Sequence, residues 1–276
     1  MRKLALLVLF IVALGLAGCA EKVEEVEKAI PKEKEKAGIS ISSPEDAMRI
    51  TPSDLALAWY DLRKERDVYI GESDLKRYIS TEISVDKIDY YYAAIIPYTQ
   101  KAAKILEGEF NLENIRDDLR GNNYRQDAYR GMEIWYGKYT VILPDKKHVI
   151  YGDKECVQRV IRVIKGEEPS LYDNEYIRKV KEKLPQGSRF EIGIDGGWSG
   201  VCDRIETICA QIKAFGISSE KTDTKRKWTA VFAFGSKDSA NVFVNEARKY
   251  YWEEKRRPNL KIDIQDNIVI LSSSER

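Results

Sequence analysis

The sequence predicts an α+β fold: antiparallel sheet or sheets with helices packed on one face, with two ferredoxin-like modules as one arrangement of it. Three observations lead there. Short runs of alternating apolar residues, the signature of half-buried strands, recur between residues 88 and 271. Amphipathic stripes at helical spacing, with capping residues at their ends, lie between many of them. Turn-rich sequences join neighbouring strands directly, which suits hairpins, whereas parallel strands need long crossover connections. A doubly wound α/β sheet therefore ranks second.

Along the chain, Thr51-Pro52-Ser53-Asp54 has the pattern of a helix start, and Leu55, Trp59 and Leu62 follow at helical spacing. A short helix is expected near Asp74 to Ile79. Ile88 to Ile96 reads as a strand with Tyr90, Tyr92, Ala94 and Ile96 on one face. A strand from Ile105 to Phe110 runs into a helix capped by Asn111, with Leu112, Ile115 and Leu119 inward. Strands Gly131 to Gly137, Tyr139 to Leu143 and His148 to Tyr151 follow. Asp153 caps a helix whose apolar positions include Cys156, Val157, Val160 and Ile161, and Asp173 to Leu184 forms another.

The last third repeats this grammar. Arg189 to Ile194 is a strand, and Val201, Ile205, Ile208, Ile212 and Phe215 mark a helical stripe. Lys227 to Phe234 alternates as a strand, a helix runs from about Lys237 to Lys255, and Leu260 to Ile264 pairs with Ile268 to Leu271 as a hairpin. Residues 105–151 and 227–272 thus share one order of strand, helix and hairpin.

Composition narrows the function. The chain has 276 residues, 46 Lys+Arg against 45 Asp+Glu, and a net charge of +1. That balance supplies no field for gripping nucleic acid, so no nucleic-acid partner is expected. One histidine removes HExxH metalloprotease sites and His-rich metal centres. Neither a metal nor another cofactor is expected. The 43% apolar fraction is ample for a core. The abundance of Lys and Glu is similar to thermophile composition, in which surface ion-pair networks matter most.

The first twenty residues address the protein. Arg2 and Lys3 precede Leu4 to Ala17, an apolar run of 14 residues. A spanning helix needs about 20, so the run fits the apolar region of a signal peptide. It ends at Leu16-Ala17-Gly18-Cys19, which resembles the lipobox of prokaryotic lipoproteins. In that family a diacylglycerol is attached to the cysteine thiol and the peptide is cut just before it. The resemblance covers this segment alone. It implies that residues 1–18 are a signal peptide, that Cys19 is the site of lipid attachment, and that the protein is exported and held at the cell membrane or envelope.

Residues 19–44 then read as a charged tether, with six Glu and five Lys between Glu21 and Lys36. If flexible, it reaches roughly 25–30 Å. Residues 45–185 and 186–276 form two α+β parts, separate or joined in one domain.

Candidate site residues are few. Gly193 to Gly200 is glycine-rich and lies between a strand and a helical stripe, so Asp195 and Trp198 are the candidate ligand contacts. It lacks the Lys of a P-loop and the GxGxxG spacing, which favours a plain turn. His148 has no nearby Asp or Cys whose spacing suggests a partnership. Cys156, Cys202 and Cys209 are candidate disulfide partners, permitted by an exported location but limited to one internal pair. On a continuous helix Cys202 and Cys209 would stand about 10.5 Å apart in rise, too far to bridge. They could pair only if the helix starts after Cys202, at the capping-box pattern Asp203 to Glu206. The basic and aromatic run Arg248 to Arg257 is best explained as a helix C-terminus. No residue is assigned as catalytic.

The leading expectation is an envelope lipoprotein with a non-catalytic binding or interaction role. Its partners would be the membrane, through the lipid, and an envelope protein or small-molecule ligand. A solute-binding protein of a transport system comes second. An extracytoplasmic hydrolase comes third, since neither a GxSxG elbow nor an SxxK motif is present.

Overall fold

The computed structural model describes residues 39–68, 70–195, 210–222, 225–249 and 259–275. Residues 39–276 form one compact unit. In chain order its elements are α1 (Pro44–Ile50), β1 (Ala56–Asp61), α2 (Glu72–Tyr78), β2 (Ile88–Ile95), β3 (Ala102–Gly108) and α3 (Leu112–Gly121). Then come β4 (Arg125–Tyr129), β5 (Met132–Tyr136), β6 (Thr140–Asp145), β7 (His148–Gly152), α4 (Lys154–Ile164) and α5 (Glu175–Lys183). The last are β8 (Arg189–Ile194), β9 (Ile212–Lys221), β10 (Arg226–Phe234), α6 (Lys237–Arg248), β11 (Lys261–Gln265) and β12 (Ile268–Glu275).

Among the described residues, twelve strands join one sheet in the order β11-β12-β10-β9-β8-β1-β2-β3-β7-β6-β5-β4. Every pairing is antiparallel. The fold is thus α+β with an antiparallel sheet. The shared order of strand, helix and hairpin takes a definite form here. After β3 the chain makes α3 and returns through hairpins to place β7 beside β3. After β10 it makes α6 and returns through β11 to place β12 beside β10. Both parts contribute to one continuous sheet, joined where β8 pairs with β1.

The helices cover both faces, where a single covered face was expected. Consecutive strand residues point to opposite sides, and the core divides accordingly. On the first face Leu57, Trp59, Tyr92, Ile105 and Ile150 pack with Met48 of α1, Val157 and Val160 of α4, and Ile177 and Val180 of α5. On the second, Tyr91, Leu106, Val149 and Trp135 meet Leu75 of α2 and Ile115 and Leu119 of α3. Further along that side, Phe215, Phe232 and Phe234 hold Phe243 and Ala247 of α6. A twelve-stranded sheet has two apolar faces to bury, which three helices on one side would leave half done.

One expected helix is a strand, and so is the described end of another. Residues 55–62, read as a helix, contain β1. Ala56, Leu57, Ala58 and Trp59 are all buried, as befits a central strand covered on both sides, and such a continuous run matches helical spacing by chance. Ile212 and Phe215, the end of an expected helical stripe, instead open β9. The part of that stripe at 201–209 lies outside the described residues. The helix expected to reach Lys255 is described only as far as Arg248.

The first described residues are fastened to the sheet. Ile41 donates its amide to Glu107 Oε2 at 2.8 Å, and its carbonyl accepts from Trp59 Nε1 at 2.7 Å. Thr51 Oγ1 is bonded to Tyr92 Oη at 2.8 Å beneath α1. Gly216 allows α5 to lie close on β9, because a Cβ there would stand 2.5 Å from Leu184 Cδ1.

Candidate functional site

A shallow open region lies in the middle of the second face, between the α2–α3 pair and α6. There β1 and β2 carry alanines opposite each other, Ala58 facing Ala93. Short side chains leave a hollow of about 380 Å³ lined by Ala58, Tyr60, Val68, Tyr91, Ile95 and Glu191, among others. Cross-strand register places one row over this floor: Glu191 beside Ala58, Ala93 beside Lys104, and Lys104 beside Tyr151.

The polar groups of this hollow satisfy one another. Arg189 Nε donates to Glu191 Oε1 at 2.9 Å, and the guanidinium carbon lies 5.3 Å from the centre of the Tyr60 ring. Tyr60 and Tyr91 pack with ring centres 5.7 Å apart. Burial, aided by the Glu191 charge, pushes the Tyr60 hydroxyl up to about 12. Tyr60 therefore stays neutral, and Arg189 and Glu191 cancel. The site offers a neutral, half-aromatic floor rather than a reactive group.

Asp195 closes β8, four residues beyond Glu191, exposed and with φ 58°, in the left-handed region. It thus follows the end of the strand whose Arg189 and Glu191 border the hollow, and is not itself part of the lining. Trp198, its expected companion, lies outside the described residues, as do Cys202 and Cys209. Cys19 lies outside them too. Cys156, named among the disulfide candidates, is a free thiol, wholly buried on α4. Burial first, and then Asp153 and Glu155, push it up to about 11, so it stays protonated and inert.

His148 was expected to lack a partner. It has two. Its Nδ1 lies 2.7 Å from Asp145 Oδ1, and its Nε2 is 3.4 Å from Glu107 Oε2, an ion-pair distance without an aligned hydrogen bond. The ring is 3% exposed. Burial alone would lower its pKa, but the two carboxylates outweigh that and raise it. Glu107 shows the mirror effect: burial opposes its charge, yet His148 and the Ile41 amide hold its pKa below the usual range. Asp145 sits three residues before His148 across the β6–β7 turn, a spacing legible only once that turn is known to be tight. Both imidazole nitrogens face carboxylates and the ring is almost wholly buried, so this cluster clamps structure rather than serving a substrate.

Among the described residues, no group of three or more His, Cys, Asp or Glu is placed to hold a metal. No helix among them is long and apolar enough to cross a membrane.

Comparison with known proteins adds the fold and little more. No family model matches the chain. Over 181 residues, 63% of its length, the chain is 29% identical to MJ1281, an uncharacterised protein of Methanocaldococcus jannaschii. The match spans about a sixth of that much longer protein, 16% of its length. Among solved structures, crystal forms I and III of TP0453 are similar, with TM-scores of 0.55 and 0.52 at 10% and 11% identity. Each likeness covers 83% of this chain and 92% or 93% of the other. The architecture is therefore shared by a protein with little sequence in common. At such identity the likeness concerns fold alone.

Proposed function

We propose that this protein is an exported, lipid-anchored envelope protein whose folded part has a non-catalytic binding or interaction role. The observation that carries the proposal is the segment Arg2 to Cys19, a charged start and a short apolar run that stops at Leu-Ala-Gly-Cys. The chemistry of the folded part agrees with a binding role. Its one imidazole is closed between Glu107 and Asp145, its described thiol is buried and protonated, and the polar groups of the central hollow neutralise one another.

Replacing Cys19 by Ala and fractionating the cells tests this. Loss of lipid and release from the membrane fraction is the expected result. Normal processing with unchanged membrane retention would overturn the proposal. A solute-binding role is the second possibility, favoured by the hollow on the second sheet face. Native mass spectrometry of the purified chain, showing a retained small molecule, would raise it above the first.

A further inference from the structure

The row of residues that crosses the central hollow continues into a second one. This neighbour has a volume of about 440 Å³ and is lined by Gln100, Lys101, Lys104, Lys138, Tyr139 and Tyr151, with Ala102, Gly152 and Asp153 completing its rim. Lys104 of β3 and Tyr151 of β7 lie directly opposite each other in its floor. The Lys104 ammonium is 5.7 Å from the centre of the Tyr151 ring.

Two donors here lack an acceptor. Lys104 is half-buried, and among the described residues its ammonium has neither an ion pair nor a hydrogen bond. Burial lowers its pKa, with Asp74 of α2 pulling the other way. Tyr151 is 3% exposed, and its hydroxyl has no partner. Buried donors are nearly always paired, so the Tyr151 hydroxyl calls for a reason, and a half-buried ammonium without a carboxylate partner lies opposite it. Lys138, exposed on the β5–β6 turn, adds a second cation, its Nζ 5.1 Å from the centre of the Tyr78 ring.

The neighbouring carboxylates are otherwise engaged or lie outside. Asp153 caps α4 by accepting from the Glu155 amide at 3.1 Å, and Glu155 stands 3.8 Å from Lys101. Asp74 is exposed on α2. A lysine ammonium binds an oxyanion as a point charge, and a tyrosine hydroxyl adds direction.

We propose that this hollow binds the oxyanion group of a small organic molecule, a carboxylate or a phosphate monoester, held by Lys104 and Lys138 with the Tyr151 hydroxyl donating from the floor. The site stands whether or not Cys19 carries a lipid, so its failure would leave the anchoring proposal untouched.

Isothermal titration of the full chain in detergent tests it, with benzoate and phenyl phosphate as probes at constant ionic strength. Binding of either probe is expected, and the preferred one tells which oxyanion the site takes. Lys104→Gln should weaken binding at least about tenfold, the loss of one charge-assisted hydrogen bond. Lys138→Gln, on an exposed turn that the fold does not need, should weaken it several-fold, and Lys237→Gln on α6 should leave it unchanged. Tyr151→Phe should raise the melting temperature of the free protein, by removing an unpaired hydroxyl, while shrinking the stabilisation the probe provides. A purely structural tyrosine would not part the two in this way. Failure of both probes to bind at millimolar concentration, or binding that Lys104→Gln and Lys138→Gln leave intact, overturns the proposal.

Discussion

His148 gives the protein a pH dependence whose sign follows from its surroundings. Its folded pKa is raised, so the stability it contributes is fully present below the unfolded value, about 6.5, and is lost as pH rises through the folded value. Glu107 works in the opposite sense: its pKa is lowered, so its contribution is present above its unfolded value and is lost as pH falls through the folded one. Urea midpoints should therefore be highest in weakly acidic solution and fall as pH rises through the raised His148 value, and His148→Gln should flatten that fall. Ser218 offers a second test at this scale. Its hydroxyl is buried without a partner, so Ser218→Ala should be neutral or raise stability by up to about 1 kcal/mol, read as a higher urea midpoint. Residue-level legibility was uneven. The inward faces of α3 and α4 followed directly from spacing, because one stripe of a helix must meet the sheet. The partners of His148 did not, because Glu107 reaches it only through the β3–β7 pairing.

Elements were legible where one face meets water and obscure where both are buried or both exposed. The Asn111 and Asp153 caps, with the stripes behind them, placed α3 and α4 correctly. Buried on both sides, β1 lost the alternation that marks a strand and looked helical. At the other extreme, β4 is an exposed edge strand of sequence RQDAY, whose polar side chains guard an open edge and resemble a loop. Element packing gives two further tests. Gly216→Val should push α5 off β9 and cost about 1–3 kcal/mol, since the added carbons meet Val180 and Leu184. Asp153→Ala should cost about 1 kcal/mol by uncapping α4. Chemical denaturation of each variant reads both.

At the scale of the whole molecule, turn chemistry pointed to an antiparallel α+β protein. Strand order was not legible, because β8 reaches β1 across more than a hundred residues and no local pattern records that return. Nor was the central hollow, whose floor exists because Ala58 and Ala93 meet across two strands. The central claim, that a lipid-anchored chain carries this sheet, is tested most directly by mass spectrometry of the N-terminal peptide from membrane-extracted protein. A lipid-anchored chain yields a peptide that begins at Cys19 and carries a lipid on the thiol. A peptide that begins elsewhere, with Cys19 unmodified, would contradict it.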